Sequence, residues 1–419
     1  MREILLSQKK ERDTLLQKPT TARESLIQTR QTMDNQLIKV VIGPRRSGKS
    51  TFAIQLLREK NFSYINFDDE RLQNITDTDD LLQNMIAVYG QTPFIFFDEI
   101  QNLPRWELLV NRLQRQGLRL IITGSNSQLL SGELATHLTG RYLEHTLLPF
   151  SFGEFLSAKK IDPKPLSQTK QDQGVILKHL DDFFLQGGFP EIVVDGISPS
   201  PYLKTLYENI LFKDIVKRYK VRFIKQLSDL GNYLMTNHCG HMTYTSLMKF
   251  LNLKSVHTLQ NFTEYLCRTY LIFLVNRFSP TLKTQIKSSK KVYGFDQGMI
   301  GAVKFQNFDD RTKILENIVA IELARRKSEF FYYFTRNNKE VDFLVKKGFE
   351  AEQLIQVCYD LTVPSTRQRE IQALITASEE VGCNDLVILT RSQKGIETVE
   401  KKEVRLIPVW EWLLSSPSL

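Results

Sequence analysis

The sequence predicts an α/β protein: a parallel sheet covered by helices, then helical segments, then a mixed α/β region. Two observations predict it. Between residues 37 and 148, short apolar runs alternate with stretches of helical spacing: Leu37–Ile42, Ser63–Phe67, Phe94–Asp98, Leu118–Thr123 and Arg141–Leu147. Parallel strands joined by crossover helices produce this alternation. Beyond residue 285 strand-like runs return at Phe330–Phe334, Glu340–Val345 and Leu354–Cys358, after a helical stretch at Asn317–Arg326.

Residues 1–36 read as an amphipathic helical lead-in with Leu5, Leu6, Leu15, Leu16 and Leu26 at its apolar positions and a break at Pro19. No chemistry attaches to them. The run Leu37–Ile42 then reads as a buried strand and Thr51–Leu57 as a helix. Between them, Gly43-Pro44-Arg45-Arg46-Ser47-Gly48-Lys49-Ser50 matches the phosphate-binding loop pattern at every constrained position. Gly43 and Gly48 let backbone N–H groups turn inward on a polyphosphate, the helix start adds its positive dipole end, and Lys49 supplies a point charge. The expected ligand is ATP. Pro44, Arg45, Arg46, Ser47 and Thr51 complete the contact set, and the Ser50 hydroxyl is a ligand for Mg²⁺.

The third run ends in Asp98-Glu99. A carboxylate at Asp98 can support the Mg²⁺ while Glu99 polarises a water for attack on the terminal phosphate; the alternative is a structural acidic pair at a strand end. The fourth run leads into Gly124-Ser125-Asn126. There Thr123, Ser125 or Asn126 either positions the attacking water or forms a turn before a helix capped near Ser127. Arg141, after Gly140, either approaches a phosphate in its own or a neighbouring subunit or is an ion-paired edge residue.

With 419 residues, 42% hydrophobic and 25% charged, the chain is long enough for several cores and has the composition of a soluble protein. It holds no apolar run long enough to span a bilayer, and Met1–Arg30 do not resemble a secretory leader. Cys239, Cys267, Cys358 and Cys383 lack paired spacing, so a reducing, cytoplasmic setting is expected and no membrane partner. His238-Cys239-Gly240-His241 has no second ligand pair at zinc-finger spacing. The net charge of +9 is localised: residues 201–300 hold 15 Lys and Arg against 5 Asp and Glu, and the rest of the chain is close to neutral. Such a segment suits a phosphate backbone, DNA rather than RNA, or equally a protein partner.

Gly43–Ser50, Asp98-Glu99-Ile100-Gln101, Thr123-Gly124-Ser125 and Leu138-Thr139-Gly140-Arg141 together resemble prokaryotic AAA+-type ATPases that carry a C-terminal nuclease-like domain. The resemblance covers nearly the whole chain. It implies a sheet in which the Thr123 strand lies between the phosphate-loop strand and the Asp98 strand, a homo-oligomer, and an ATPase core over 37–148. It also implies a helical lid over 149–220 in which Gly188-Phe189-Pro190 contacts adenine; a simple turn is the competing reading of Pro190.

Within 221–284 a winged helix is expected. Thr245 can cap a helix containing Leu247, Phe250 and Leu251, and Ser255 one containing Val256, Leu259, Phe262 and Leu266, with a wing strand at Tyr270–Val275. His257, Thr258, Gln260 and Asn261 are its candidates to face a groove. Region 285–419 resembles the restriction-endonuclease-like fold. Glu316 and Asp342 match its acidic positions, but Gln356 and Cys358 stand where a carboxylate and a lysine belong. An amide binds a hard cation far less well than a carboxylate, so the domain is expected to bind or dock and not to cut, the alternative being that Lys346 or Lys347 supplies the missing lysine. The expected activity is ATP hydrolysis by Lys49, Glu99, Ser125 and Arg141 coupled to nucleic-acid contact, with a slow nucleotide-dependent switch acting through protein contacts as the rival.

Overall fold

A computed structural model describes residues 1–72, 75, 77–125, 138, 140–162, 169–304 and 310–415. The chain divides into two compact units. The first comprises Met1–Phe150 with Arg268–Tyr270, the second Ser151–Cys267 with Leu271–Leu419.

The first unit is built on strands β1 (Ile38–Ile42), β2 (Phe62–Asn66), β3 (Phe94–Asp98), β4 (Arg119–Gly124) and β5 (Tyr142–Thr146), in the order β2-β3-β4-β1-β5 and parallel throughout. Each predicted run thus becomes a strand, and β4 lies between β1 and β3 as the resemblance implies. β1 and β3 are buried at every position, which is why they read as continuous apolar runs.

The lead-in has a structural role that the sequence did not reveal. Its first helix, Arg2–Gln17, accompanies the edge strand β2. The Gln8 amide donates to the Asn66 carbonyl at 3.0 Å and accepts from the Asn66 N–H at 3.1 Å, and Arg12 donates to the Phe62 carbonyl at 2.7 Å. These bonds occupy edge groups that would otherwise be open to another strand. Leu5 and Leu26 are buried as expected, whereas Leu6 is exposed.

The second unit opens with the helix Phe152–Ala158, held by a capping box between Ser151 and Glu154. Helices Lys170–Gln186, Pro190–Asp195 and Pro199–Asn209 follow, the last running on through a π-helical stretch at Ile210–Lys217. Next come the helix Ile224–Thr236, strand β6 (His241–Met242), helices Tyr244–Phe250 and Val256–Arg268, strand β7 (Ile272–Asn276), the short helix Leu282–Lys287 and strand β8 (Lys290–Gly294). The three strands form an antiparallel sheet in the order β6-β8-β7. The boundary drawn from sequence at 284/285 therefore cuts this sheet, because β8 pairs with both partners. The cap of Tyr244–Phe250 is Thr243, two residues before the expected Thr245, and Phe250 is 60% exposed where a core residue was expected.

The C-terminal part carries a six-stranded mixed sheet in the order β13-β14-β12-β11-β10-β9, formed by β9 (Glu329–Phe334), β10 (Glu340–Lys347), β11 (Glu350–Val357), β12 (Leu386–Thr390), β13 (Gly395–Val399) and β14 (Lys402–Pro408). The helix Pro364–Val381 packs Ile371, Leu374 and Ile375 into the core of this sheet. β12 to β14 and this helix were not anticipated.

The Gly188-Phe189-Pro190 turn is a packed junction. Gly187 has φ +74°, and the Gly188 N–H donates to Asp296 at 2.8 Å while the same carboxylate caps the helix Gln297–Val303. A Cβ on Gly187 would stand 2.2 Å from an Asp296 oxygen. Gly187→Ala is expected to cost about 2–3 kcal/mol in a denaturant melt, combining backbone strain with the clash. Gly196→Ala, at φ +66° in open space, is the control and should cost roughly 1 kcal/mol. Equal losses at the two positions would show that the Asp296 contact is not what the turn depends on.

Candidate active site

The phosphate loop leaves β1 at Gly43, whose φ is +148° and whose missing Cβ would lie 2.2 Å from the Leu147 carbonyl oxygen. Only glycine fits there. Arg46 and Gly48 take left-handed conformations, φ +67° and +89°, and the chain then enters the helix Lys49–Leu57. Lys49 is buried, its ammonium donating to the carbonyls of Pro44 at 2.9 Å and Gly43 at 3.2 Å. The Ser47 hydroxyl is buried with no hydrogen-bond partner among the described residues. A buried hydroxyl needs a partner, and a polyphosphate in the loop would supply one.

Two strands and the helix after β1 meet at one carboxylate. Asp98, at the end of β3, accepts from the Ser50 hydroxyl at 2.9 Å and from the Thr123 hydroxyl at the end of β4. Thr123 in turn accepts the Glu99 N–H at 3.0 Å. Glu99 itself is left-handed, φ +50°, and its carboxylate accepts from Gln101 at 2.5 Å. Burial, with the adjacent Glu99 charge, pushes Asp98 up to about 6 despite these hydrogen bonds and Lys49. A carboxylate held in this way favours a cation beside it. Ser50 and Asp98, two hard oxygen donors in contact, suit Mg²⁺.

The remaining expected residues fall in different places. Thr123 is fully buried, and its hydroxyl bonds the Asp98 carboxylate and the Glu99 N–H. Ser125 is buried just past β4; Asn126, Ser127 and Thr139 lie outside the described residues. Arg141 precedes β5, level with the start of β1, where its carbonyl accepts the Ile38 N–H, while the phosphate loop leaves the other end of β1. The five residues of that strand put roughly 16 Å between them. Its guanidinium donates to Asn111 at 2.5 Å. Arg141 therefore does not join the site of its own subunit. Pro190 is the first residue of its helix, in the second unit.

One contributor was missed by sequence reasoning. Arg23, from the lead-in, is buried, lies 4.8 Å over the Phe150 ring and donates to the carbonyls of Ser47 and Leu148. It braces the phosphate loop from behind. No motif marks it, because the contact spans 24 residues to the loop and 125 to Leu148.

An AAA domain matches residues 35–156, and a domain of unknown function matches residues 177–311. An uncharacterized protein of Methanocaldococcus jannaschii is 38% identical over 90% of this chain and 88% of its own length. One of Haemophilus influenzae is 30% identical over 95% of this chain and all of its own. The chain belongs to this prokaryotic family of P-loop ATPases. Among solved structures it is similar to a Walker-type ATPase of Pyrococcus abyssi, at 16% identity and TM-score 0.46, covering 69% of this chain and 99% of that one. It is also similar to a signal-transduction ATPase with a tetratricopeptide sensor from Pyrococcus horikoshii, at 14% identity and TM-score 0.28, covering 73% and 46%. No described helix is long and apolar enough to cross a membrane.

The Thr123 hydroxyl carries two bonds at once. Thr123→Val should therefore cost about 1–3 kcal/mol by stranding a buried N–H and loosening a buried carboxylate, and should lower ATP turnover about tenfold. Thr123→Ser should restore both. A Val variant with wild-type turnover would show that the Asp98–Glu99 arrangement holds without it.

Proposed function

We propose that the protein hydrolyses ATP with Mg²⁺ and that its second unit relays the nucleotide state to a nucleic acid. The observation that carries the first part is the Ser50–Asp98–Thr123–Glu99 chain of contacts, which joins the phosphate loop to two carboxylates of unequal surroundings. Mg²⁺, when bound, would neutralise phosphate charge between Ser50 and Asp98. The loop N–H groups and Lys49 hold the phosphates, and Glu99, less buried than Asp98 and aimed by Gln101, takes the proton of the attacking water. Arg141 acts, on this reading, from a neighbouring subunit of a homo-oligomer.

The order helix, strand, two helices and two strands over Ile224–Gly294, with the short helix Leu282–Lys287 between those two strands, supports reading this part as a winged helix. His257 and Gln260 are exposed on its Val256–Arg268 helix, and Lys283, Lys287 and Lys290 cluster around the wing between β7 and β8. Together they offer DNA a polar face beside positive charge. A second reading, with a protein as partner, is favoured by Phe223 at 53% and Phe250 at 60% exposure in the same region. On this reading the C-terminal domain does not cut, which is supported by the Gln356 amide being tied to the Asp342 N–H and to Glu370 and by the Cys358 thiol donating to the Asp360 carbonyl.

Steady-state hydrolysis beside Lys49→Ala as the blank tests the core. Glu99→Gln should still bind ATP and turn it over roughly 10²- to 10⁴-fold more slowly; unchanged turnover would remove Glu99 from this role. Single- or double-stranded DNA should stimulate the wild type, with an affinity that falls steeply with salt. Hydrolysis indifferent to DNA at low salt would favour the protein partner.

A further inference from the structure

The acidic centre of the C-terminal sheet is occupied. Lys291, on β8, is 2% exposed, and its ammonium lies 2.7 Å from Glu316, 2.6 Å from Glu340 and 3.1 Å from Asp342. The last two come from β10, and Glu316 from the helix Arg311–Arg325. An ammonium has three N–H donors and no acceptor, and here each has a carboxylate. Each carboxylate has a further polar neighbour as well. Glu316 accepts the Tyr293 hydroxyl at 2.7 Å, Asp342 the Val357 N–H at 3.0 Å, and Glu340 lies 3.1 Å from the His241 ring.

We propose that Lys291 is the resident cation of this centre, standing where a nuclease of this fold would hold a divalent metal, and that the centre has become a socket docking the β6-β8-β7 sheet onto the C-terminal sheet. With Lys291 in place the residues do not fit a metal ion. Mg²⁺ requires a near-octahedral set of oxygens at about 2.0–2.1 Å, whereas this set is spaced for an ammonium. Among the described residues no group of three or more His, Cys, Asp or Glu is arranged to hold a metal.

The lysine also comes from the wrong element for catalysis. The nuclease lysine position is Cys358 on the C-terminal side, whereas Lys291 arrives from the neighbouring three-stranded sheet. The socket is wider than this one residue. Tyr293 from the same strand and His241 from β6 enter the same acidic cluster, and Gly294 exchanges two hydrogen bonds with Asn317, at 2.8 and 3.1 Å. Burial opposes the charge on Lys291, but the surrounding carboxylates outweigh it and hold the ammonium well above its ordinary range. Removing one partner of such a buried cluster leaves uncompensated charge, so the lysine is a fastening that the two sheets cannot readily release.

The inference rests on the reading that this domain does not cut. It is tested without nucleotide, so that its failure is separate from any failure of the ATPase reading. The full chain is melted in EDTA and in Mn²⁺. Lys291→Ala should lose about 10 °C of Tm in EDTA and recover part of it in Mn²⁺, as the vacated carboxylates accept a replacement cation. Lys291→Ala combined with Asp342→Asn should recover none. If Lys291→Ala does not fold, Mn²⁺ binding to the wild type and to Asp342→Asn is compared by electron paramagnetic resonance, and equal binding supports the proposal. It is overturned if Lys291→Ala keeps its Tm, if Mn²⁺ rescues nothing, if the wild type binds Mn²⁺ through Asp342, or if the wild type nicks DNA with Mn²⁺ and Lys291→Ala abolishes it.

Discussion

Asp98 is the constraint on which the first unit depends. Its carboxylate is buried, and burial alone would drive it neutral; Ser50 and Thr123 keep it hydrogen-bonded from two sides. Those partners come from the helix after β1 and from the end of β4, and the order that places β4 between β1 and β3 brings both to Asp98. Sheet order and site chemistry are therefore one requirement. The same order leaves β2 at an edge, and the lead-in covers that edge with Gln8 and Arg12 before Arg23 reaches the loop. A segment with no motif thus serves both the sheet and the site.

The parts legible in the sequence were those whose physics is local. A strand buried on both faces must be apolar along its length, and a loop that closes on phosphates must place glycine where a Cβ would strike Leu147. Asp98-Glu99 was visible because a charged pair ends an apolar run. Arg23, Gln8 and Lys291 were not, because each acts on an element far away in the chain, and a basic or amide side chain in a polar stretch looks the same whether it faces solvent or a buried carbonyl. Phe250 shows the reverse error. Helical spacing marks an apolar face but not whether anything covers it, and here Phe250 stays exposed while Leu247 and Leu251 are buried. The boundary at 284/285 failed for a related reason: the short polar helix Leu282–Lys287 looks like a linker, yet it joins two paired strands of one sheet.

Lys291 also changes how the basic segment is read. Its excess charge suggested a phosphate-binding face, but one of its lysines is spent internally against three carboxylates. The charge open to solvent is correspondingly smaller and lies with residues such as Lys213, Lys217, Arg218, Lys283 and Lys287. Lys213, Lys217 and Arg218 lie in the same stretch of chain as the exposed Phe212 and Phe223, so charge and apolar surface occur together on the second unit. A partner that combines negative charge with something to stack on satisfies both features. Single-stranded nucleic acid, whose bases present π-faces that duplex DNA keeps stacked inside, and an acidic protein surface carrying apolar side chains both have that combination. An acidic protein surface would meet the charge but would need apolar side chains of its own to cover the phenylalanines. The comparison of single- and double-stranded DNA in the hydrolysis assay is therefore the informative one, because the two share a backbone and differ in the feature that the exposed aromatics would read.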